Sequence, residues 1–107
     1  MNHHSDAITQ RWSELTLSQQ LGNVGSEVSR MLKWRGKDDA IAERAFERML
    51  ELMDLTMQNQ TNGPRLREIA RAREVLVQTW QSQATADSPE WISLNRYFFQ
   101  FAMLGNH

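Results

Sequence analysis

The chain has 107 residues, a formal net charge of −1, 40% hydrophobic and 23% charged residues, and no cysteine. This composition is typical of one globular domain, and the lack of cysteine excludes disulfides, thiolate zinc sites and a cysteine nucleophile. The near-zero net charge excludes a general electrostatic attraction to nucleic acid or to an anionic membrane.

No apolar run approaches the roughly 20 residues that a transmembrane helix needs, and residues 1–9 are too polar for a signal peptide. We therefore expect a cytoplasmic protein without membrane contact. Residues 1–15 are predicted to form an N-terminal arm or short helix, and residues 16–105 a single helical-bundle domain. Within the arm, Ile8, Trp12 and Leu15 have the spacing of an apolar side that packs on the body.

The first long helix is predicted to begin after Ser18, a good N-cap residue, and to stop at Gly36. Glycine inside a helix costs about 1 kcal/mol relative to alanine, so glycines in its interior need a reason. Close approach of another helix is our interpretation, and a backbone left open for a ligand is the alternative. The small residues in question are Gly22, Gly25, Ser26 and Ser29.

A second helix is predicted to begin at a capping Asp38 or Asp39 and to run to about Gln60. Residues 62–64, Asn-Gly-Pro, then separate it from a third helix that runs from Pro64 to about Gln83. The outer side of the second helix carries mixed charges, which are typical of a solvated face. These residues are Glu43, Arg44, Glu47, Arg48 and Glu51.

A fourth helix is predicted from the start signal at residues 88–90, Ser-Pro-Glu, to Gly105. Its adjacent Phe98 and Phe99 must point about 100° apart, so one of them, or Tyr97, faces away from the core. Such an apolar surface suits a dimer interface or a partner protein. Since no segment alternates with a period of two, the chain is predicted to be an all-α, up-down bundle of four main helices.

Residues for catalysis are few. The three histidines, His3, His4 and His107, lie at the two ends of the chain, where we expect solvated tails rather than a catalytic or metal-binding pair. The sequence lacks the Glu-x-x-His pattern of bundle metal sites, glycine-rich phosphate loops and serine hydrolase motifs. We therefore expect no enzymatic activity, no metal and no cofactor.

Four charged residues lie close to the predicted apolar stripes: Glu27, Arg30, Asp54 and Arg73. Charges at such positions are seldom buried unless they are paired. Our interpretation is an internal ion-pair network in which Glu27 or Asp54 meets Arg73. The alternative is a polar cleft that receives a ligand or a partner.

A basic rim follows at the end of the first long helix, formed by Lys33, Trp34, Arg35 and Lys37. Cationic and aromatic groups suit phosphates and stacked bases, so this rim is a candidate surface for RNA. The simpler interpretation is that an acidic second helix packs between two basic ones and the bundle neutralises itself.

Residues 23–30 read NVGSEVSR, and Trp34 follows them. Together with residues 45–48, 52–56, 67–69, 73–74 and 96–98, this segment resembles a family of small uncharacterised bacterial helical proteins. The resemblance covers most of the chain, from Trp12 to Ala102, and implies no particular activity.

The predicted bundle is also similar to HEPN domains, many of which are RNA-cleaving toxins or partners of small nucleotidyltransferases and which commonly dimerise. Their nuclease signature is an arginine followed, four to six residues later, by a histidine. Here Arg96 is followed at those places by Phe101, Ala102 and Met103. The resemblance therefore implies a relative without an intact nuclease motif.

We accordingly expect a non-enzymatic helical interaction module that forms a homodimer or serves as the small subunit of a complex. The alternative is an HEPN-like RNA- or nucleotide-binding protein related to toxin–antitoxin systems, using Arg30, Lys33, Arg35 and Arg73. The interface candidates are Gly22, Gly25, Ser26, Ser29, Tyr97, Phe98 and Phe99.

Overall fold

The computed structural model describes residue 7 and residues 10–105. In this part of the chain, a short helix, α1, spans residues 10–13 and four long helices follow it. They are α2 (Leu17–Trp34), α3 (Asp39–Gln58), α4 (Gly63–Gln81) and α5 (Pro89–Gly105). The predicted all-α bundle with a short preceding helix is confirmed. The predicted tails with His3, His4 and His107, and the predicted packing of Ile8, lie outside the described residues.

Side-chain caps explain where the long helices begin. The Thr16 hydroxyl accepts a hydrogen bond from the Gln19 backbone N–H at 3.1 Å, and the Gln19 side chain accepts one from the Thr16 N–H at 2.9 Å. This reciprocal capping box starts α2 two residues before the predicted cap, Ser18, so that prediction was wrong. The predicted caps Asp38 and Ser88 are confirmed. Asn62 caps α4, which begins at Gly63, one residue before the predicted Pro64.

The predicted stop of α2 at Gly36 is confirmed. Gly36 has φ +84°, a left-handed conformation that side chains with a Cβ rarely adopt. The backbone N–H groups of Lys37 and Asp38 then donate to the carbonyl of Trp34. The chain thereby reverses and delivers Asp38 to cap α3.

The bundle core is organised around α2. This helix lies close to α3 on one side and to α5 on the other, whereas α4 approaches α3 and α5 more loosely. The buried residues of α4 are Ile69, Leu76 and Thr79. The side chains that are completely buried include Leu21, Val24, Val28, Met31, Met49, Met53, Ile69, Leu76, Trp91 and Phe98.

Trp12 anchors the N-terminal segment to the bundle. Its side chain is buried, and its indole Nε1–H donates a hydrogen bond to Thr56 Oγ1 on α3. The Gln20 amide on α2 donates in turn to the Trp12 carbonyl at 2.7 Å. The predicted packing of Trp12 is therefore confirmed, and Leu15 packs half-buried against the same core.

Candidate functional sites

The outer face of α5 is the most apolar exposed surface of the described chain. Four of the five large hydrophobic side chains that are exposed lie on this helix. They are Ile92 (47% exposed), Phe99 (61%), Met103 (52%) and Leu104 (59%). Helical geometry places Ile92, Phe99 and Met103 within about 40° of one another and about 100–140° away from the buried Phe98, whereas Leu104 lies about 100° from Met103. We call the surface formed by Ile92, Arg96, Phe99 and Met103 the α5 outer stripe.

The three aromatic residues predicted to form an interface differ in how exposed they are. Phe99 faces solvent, as one of the three had to, but Phe98 is completely buried and Tyr97 is half-buried. Phe98 is therefore corrected from an interface candidate to a core residue.

Gly22 and Gly25 are likewise not available to a partner, because α5 of the same chain covers them. A Cβ built on Gly25 would lie 2.8 Å from Phe98 Cβ, and one on Gly22 would lie 3.0 Å from Ala102 Cα. The interpretation of these glycines as a close helix–helix approach is confirmed, and their role as an intermolecular interface was wrong. Ser26 and Ser29 are exposed, and the Ser29 hydroxyl donates to Asn95 Oδ1 at 3.0 Å.

Asp54 and Arg73 form one of the two alternative ion pairs that were predicted, with Arg73 Nε 2.8 Å from Asp54 Oδ1. Their side chains are 51% and 33% exposed, so the pair lies at the protein surface between α3 and α4. The expectation of a buried network was therefore wrong. Glu27 and Arg30 take no part in this pair and lie in a different place, between α2 and α3.

The residues of the predicted basic rim do not form one surface. The Arg35 guanidinium carbon lies over the Trp80 ring, 4.7 Å from its centroid, and Phe46 stacks on the same tryptophan with its ring nearly parallel at 4.3 Å. Lys33 Nζ lies 5.8 Å from the Trp34 ring, and Lys37 is exposed. Arg35 therefore helps to hold α4 onto the bundle rather than pointing outward with its neighbours.

The cavity beside Arg35, of about 670 Å³, also contains two carboxylates that sequence reasoning had not assigned to it, Asp39 and Glu43. A phosphate would meet two negative charges there for each positive one. This mixture does not favour the predicted nucleic-acid surface at this end of the bundle.

A groove between α2 and α3, of about 490 Å³, brings together three arginines from two helices. The sequence predicted that Arg44 and Arg48 lie on a solvated face, whereas their i, i+4 spacing beside the buried Ala45 places both on the edge of α3 that faces α2. The groove is also lined by three apolar residues and one carboxylate. We call it the α2–α3 groove, and its lining residues are Glu27, Arg30, Trp34, Ile41, Arg44, Ala45 and Arg48.

Tyr97 connects α5 to α4. Its hydroxyl donates a hydrogen bond to Glu68 Oε1 at 2.7 Å, and Glu68 also pairs with Arg65 at 3.2 Å. Burial, followed by the hydrogen bond and the negative charge of Glu68, raises the pKa of Tyr97 well above its ordinary value. The tyrosine is therefore a neutral hydrogen-bond donor throughout the physiological range.

In the described part of the chain, no three His, Cys, Asp or Glu side chains are grouped so that they could hold a metal ion. Among the same residues, no helix is long and apolar enough to span a bilayer. No protein-family model matches the chain, and comparisons with curated proteins and with solved structures also find no match.

Proposed function

We propose that this protein is a non-enzymatic helical interaction module that forms a homodimer through the α5 outer stripe. The observation that carries the proposal is the concentration of exposed apolar side chains on this single helix face. An isolated exposed leucine or valine is ordinary on a protein surface, but a contiguous apolar face on one helix is typical of an interaction site.

The residue order of the stripe favours a second copy of this chain as the occupant. Ile92, Arg96, Phe99 and Met103 are spaced four, three and four residues apart, and this spacing reads the same in both directions. In an antiparallel pair of α5 helices, Ile92 would therefore meet the partner's Met103. Arg96 would meet the partner's Phe99, and the two-fold axis repeats both contacts.

The second of these contacts is chemically complementary. A guanidinium over an aromatic face contributes about 0.5–1 kcal/mol at an exposed site, and the two-fold axis provides two such contacts. Arg96, the one charged residue of the stripe, would therefore be paired with an aromatic ring when the dimer buries it. One helix face is small relative to the roughly 800 Å² per subunit of stable complexes, so we expect a dissociation constant on the order of micromolar or weaker. The resemblance to HEPN domains, which commonly dimerise, also supports the proposal.

Sedimentation velocity over a range from about 1 to about 500 µM tests the association. The wild-type protein is expected to shift from monomer to dimer, and Phe99→Lys to remain a monomer because each copy would place an ammonium group against the partner's Arg96. Gln78→Lys is the matched control, since it adds the same charge to an exposed residue of α4, outside the stripe. Equal loss of association in both variants, or a wild-type monomer at every concentration, would contradict the proposal.

Engineered cysteines test the antiparallel register, because the chain has none of its own. A mixture of Ile92→Cys and Met103→Cys proteins should form a mixed disulfide under mild oxidation. Either variant alone should form little, because cysteines more than about 7 Å apart at Cα cannot be bridged. Efficient bridging of Ile92→Cys with itself would show a parallel arrangement and overturn this geometry.

A further inference from the structure

The α2–α3 groove is lined by none of the residues of the α5 outer stripe, and it has the chemistry of a ligand site. Its three arginines come from both helices, Arg30 from α2 and Arg44 and Arg48 from α3. The ion pairs among the described residues are Arg65–Glu68 and Asp54–Arg73, and neither involves a groove arginine. Three guanidinium groups are thus directed to one concave surface with their hydrogen-bonding capacity available to an anion.

The arginine spacing suits a phosphate. Arg44 and Arg48 are one turn apart, about 6 Å along the helix, and Arg30 faces them across the groove. The guanidinium fork binds phosphate oxygens in a bidentate manner, and several forks around one anion give both affinity and orientation.

Glu27 is the one carboxylate in this ring of cations, and its side chain is half-buried. A carboxylate at this position opposes simple anions such as sulfate, since it lowers the local positive charge. It would instead accept hydrogen bonds from hydroxyl groups of the ligand, as acidic residues accept them from ribose in nucleotide sites. Glu27 therefore favours a ligand that has hydroxyl groups beside its phosphate.

Trp34 completes the site on the apolar side. It lies half-buried at the end of α2, and with Ile41 and Ala45 it gives the groove an aromatic and aliphatic surface. Flat bases stack on aromatic side chains, and a volume of about 490 Å³ is within the usual range for a small-molecule site.

We propose that the α2–α3 groove binds a ribonucleoside phosphate, with the phosphate on Arg44 and Arg48, the ribose hydroxyls on Glu27 and the base against Trp34. The same chemistry is offered by a free nucleotide and by a nucleotide within an RNA strand, and binding experiments separate these two sources. The proposal does not depend on dimerisation, because no groove residue belongs to the α5 outer stripe.

Isothermal titration calorimetry with AMP, adenosine, 2′-deoxy-AMP and an octamer of oligoadenylate RNA tests the site. AMP is expected to bind and adenosine to bind at least about tenfold more weakly, because hydrogen bonds between charged partners are lost with the phosphate. AMP affinity should fall as salt is added. An RNA octamer that binds far more tightly than AMP, and depends on the same arginines, would support the groove and assign its ligand to RNA.

Substitutions locate the binding. The double variant Arg44→Gln/Arg48→Gln should lose AMP affinity by about tenfold or more. The matched control is Arg67→Gln/Arg71→Gln on α4, which removes two exposed arginines that are also one turn apart and should leave the affinity within about twofold. Equal losses in both double variants would show non-specific charge attraction and overturn the proposal.

Glu27→Ala gives a readout that a structural role would not produce. The wild-type protein should prefer AMP to 2′-deoxy-AMP, and removing this carboxylate should abolish that preference because the ribose hydroxyls lose their acceptor. Circular dichroism confirms that each variant remains folded. Failure of the wild-type protein to bind AMP or the RNA octamer at millimolar concentration would refute the site.

Discussion

The indole of Trp12 and the hydroxyl of Thr56 are 44 positions apart in the chain and lie within 2.9 Å of each other in the fold. Thr56 Oγ1 accepts the indole proton and donates its own to the carbonyl of Leu52 at 2.8 Å. Both side chains are buried, so this pair satisfies polar groups that water cannot reach. It fastens the N-terminal segment to the middle of α3.

Thr56→Val should lower the free energy of unfolding by about 1–3 kcal/mol, because the buried indole N–H of Trp12 loses its acceptor. Urea denaturation followed by far-ultraviolet circular dichroism measures the change. Thr79→Val is a matched control: Thr79 is also buried and also donates to the carbonyl four residues earlier, at 2.7 Å, but accepts no tertiary hydrogen bond. A loss of equal size at both positions would contradict the importance assigned to the indole.

Gly25→Ala should destabilise the protein, although alanine is the better helix former by about 1 kcal/mol. The new methyl group would lie 2.8 Å from Phe98 Cβ and force α2 and α5 apart, and overpacking of this kind costs about 1–3 kcal/mol. Thermal unfolding measures the difference. Gly63→Ala is the control, since its methyl group would meet only Arg67 Nη1 at 3.7 Å, and it should be neutral or stabilising.

A double-mutant cycle on Asp54 and Arg73 should give a coupling energy of only about 0.2–1 kcal/mol, as exposed ion pairs do. The cycle compares urea denaturation of Asp54→Ala, Arg73→Ala, the double variant and the wild type. The coupling should decrease further at high salt. A coupling of several kcal/mol would instead indicate that the pair is shielded from solvent.

Tyr97 should titrate well above pH 10, and the protein contains no other tyrosine to obscure it. Because the pKa is higher in the folded than in the unfolded state, the stabilisation is complete below about pH 10 and is lost as the pH rises further. Tyr97→Phe should therefore lose less stability above that pH than the wild type. Absorbance at the tyrosinate band, recorded in buffer and in urea, measures both states, and coincident titrations would disprove the shift.

Local signals in the sequence predicted the elements well, because helix starts depend on a few adjacent residues. Asp38 and Ser88 cap helices as predicted. Ser18 does not cap α2, since Thr16 has the better partner three residues later in Gln19. Long-range placement was harder. Helical spacing predicted that either Glu27 or Asp54 would meet Arg73, and the packing of α4 on α3 selects Asp54. Spacing does not tell how completely neighbouring helices exclude water.

Which residues are exposed was likewise hard to predict from the sequence, because exposure depends on the neighbouring helices. Adjacency of Phe98 and Phe99 required that their side chains point in different directions, but only the packing of α5 on Gly25 decided which one is exposed. Arg44 and Arg48 were read with the glutamates that alternate with them in sequence. Their common edge, facing α2, becomes visible only when the neighbouring helix is in place.

The loose packing of α4 has a consequence for local unfolding of the bundle. α2 shares close backbone contact with both neighbours, whereas α4 is held mainly by side chains such as Trp80 against Phe46 and Glu68 against Tyr97. Parts of a protein with fewer buried contacts open at lower free energy than the whole molecule. Amide hydrogens of α4 should therefore exchange with deuterium before those of α2, and the three-helix remainder would be the last unit to lose its protection.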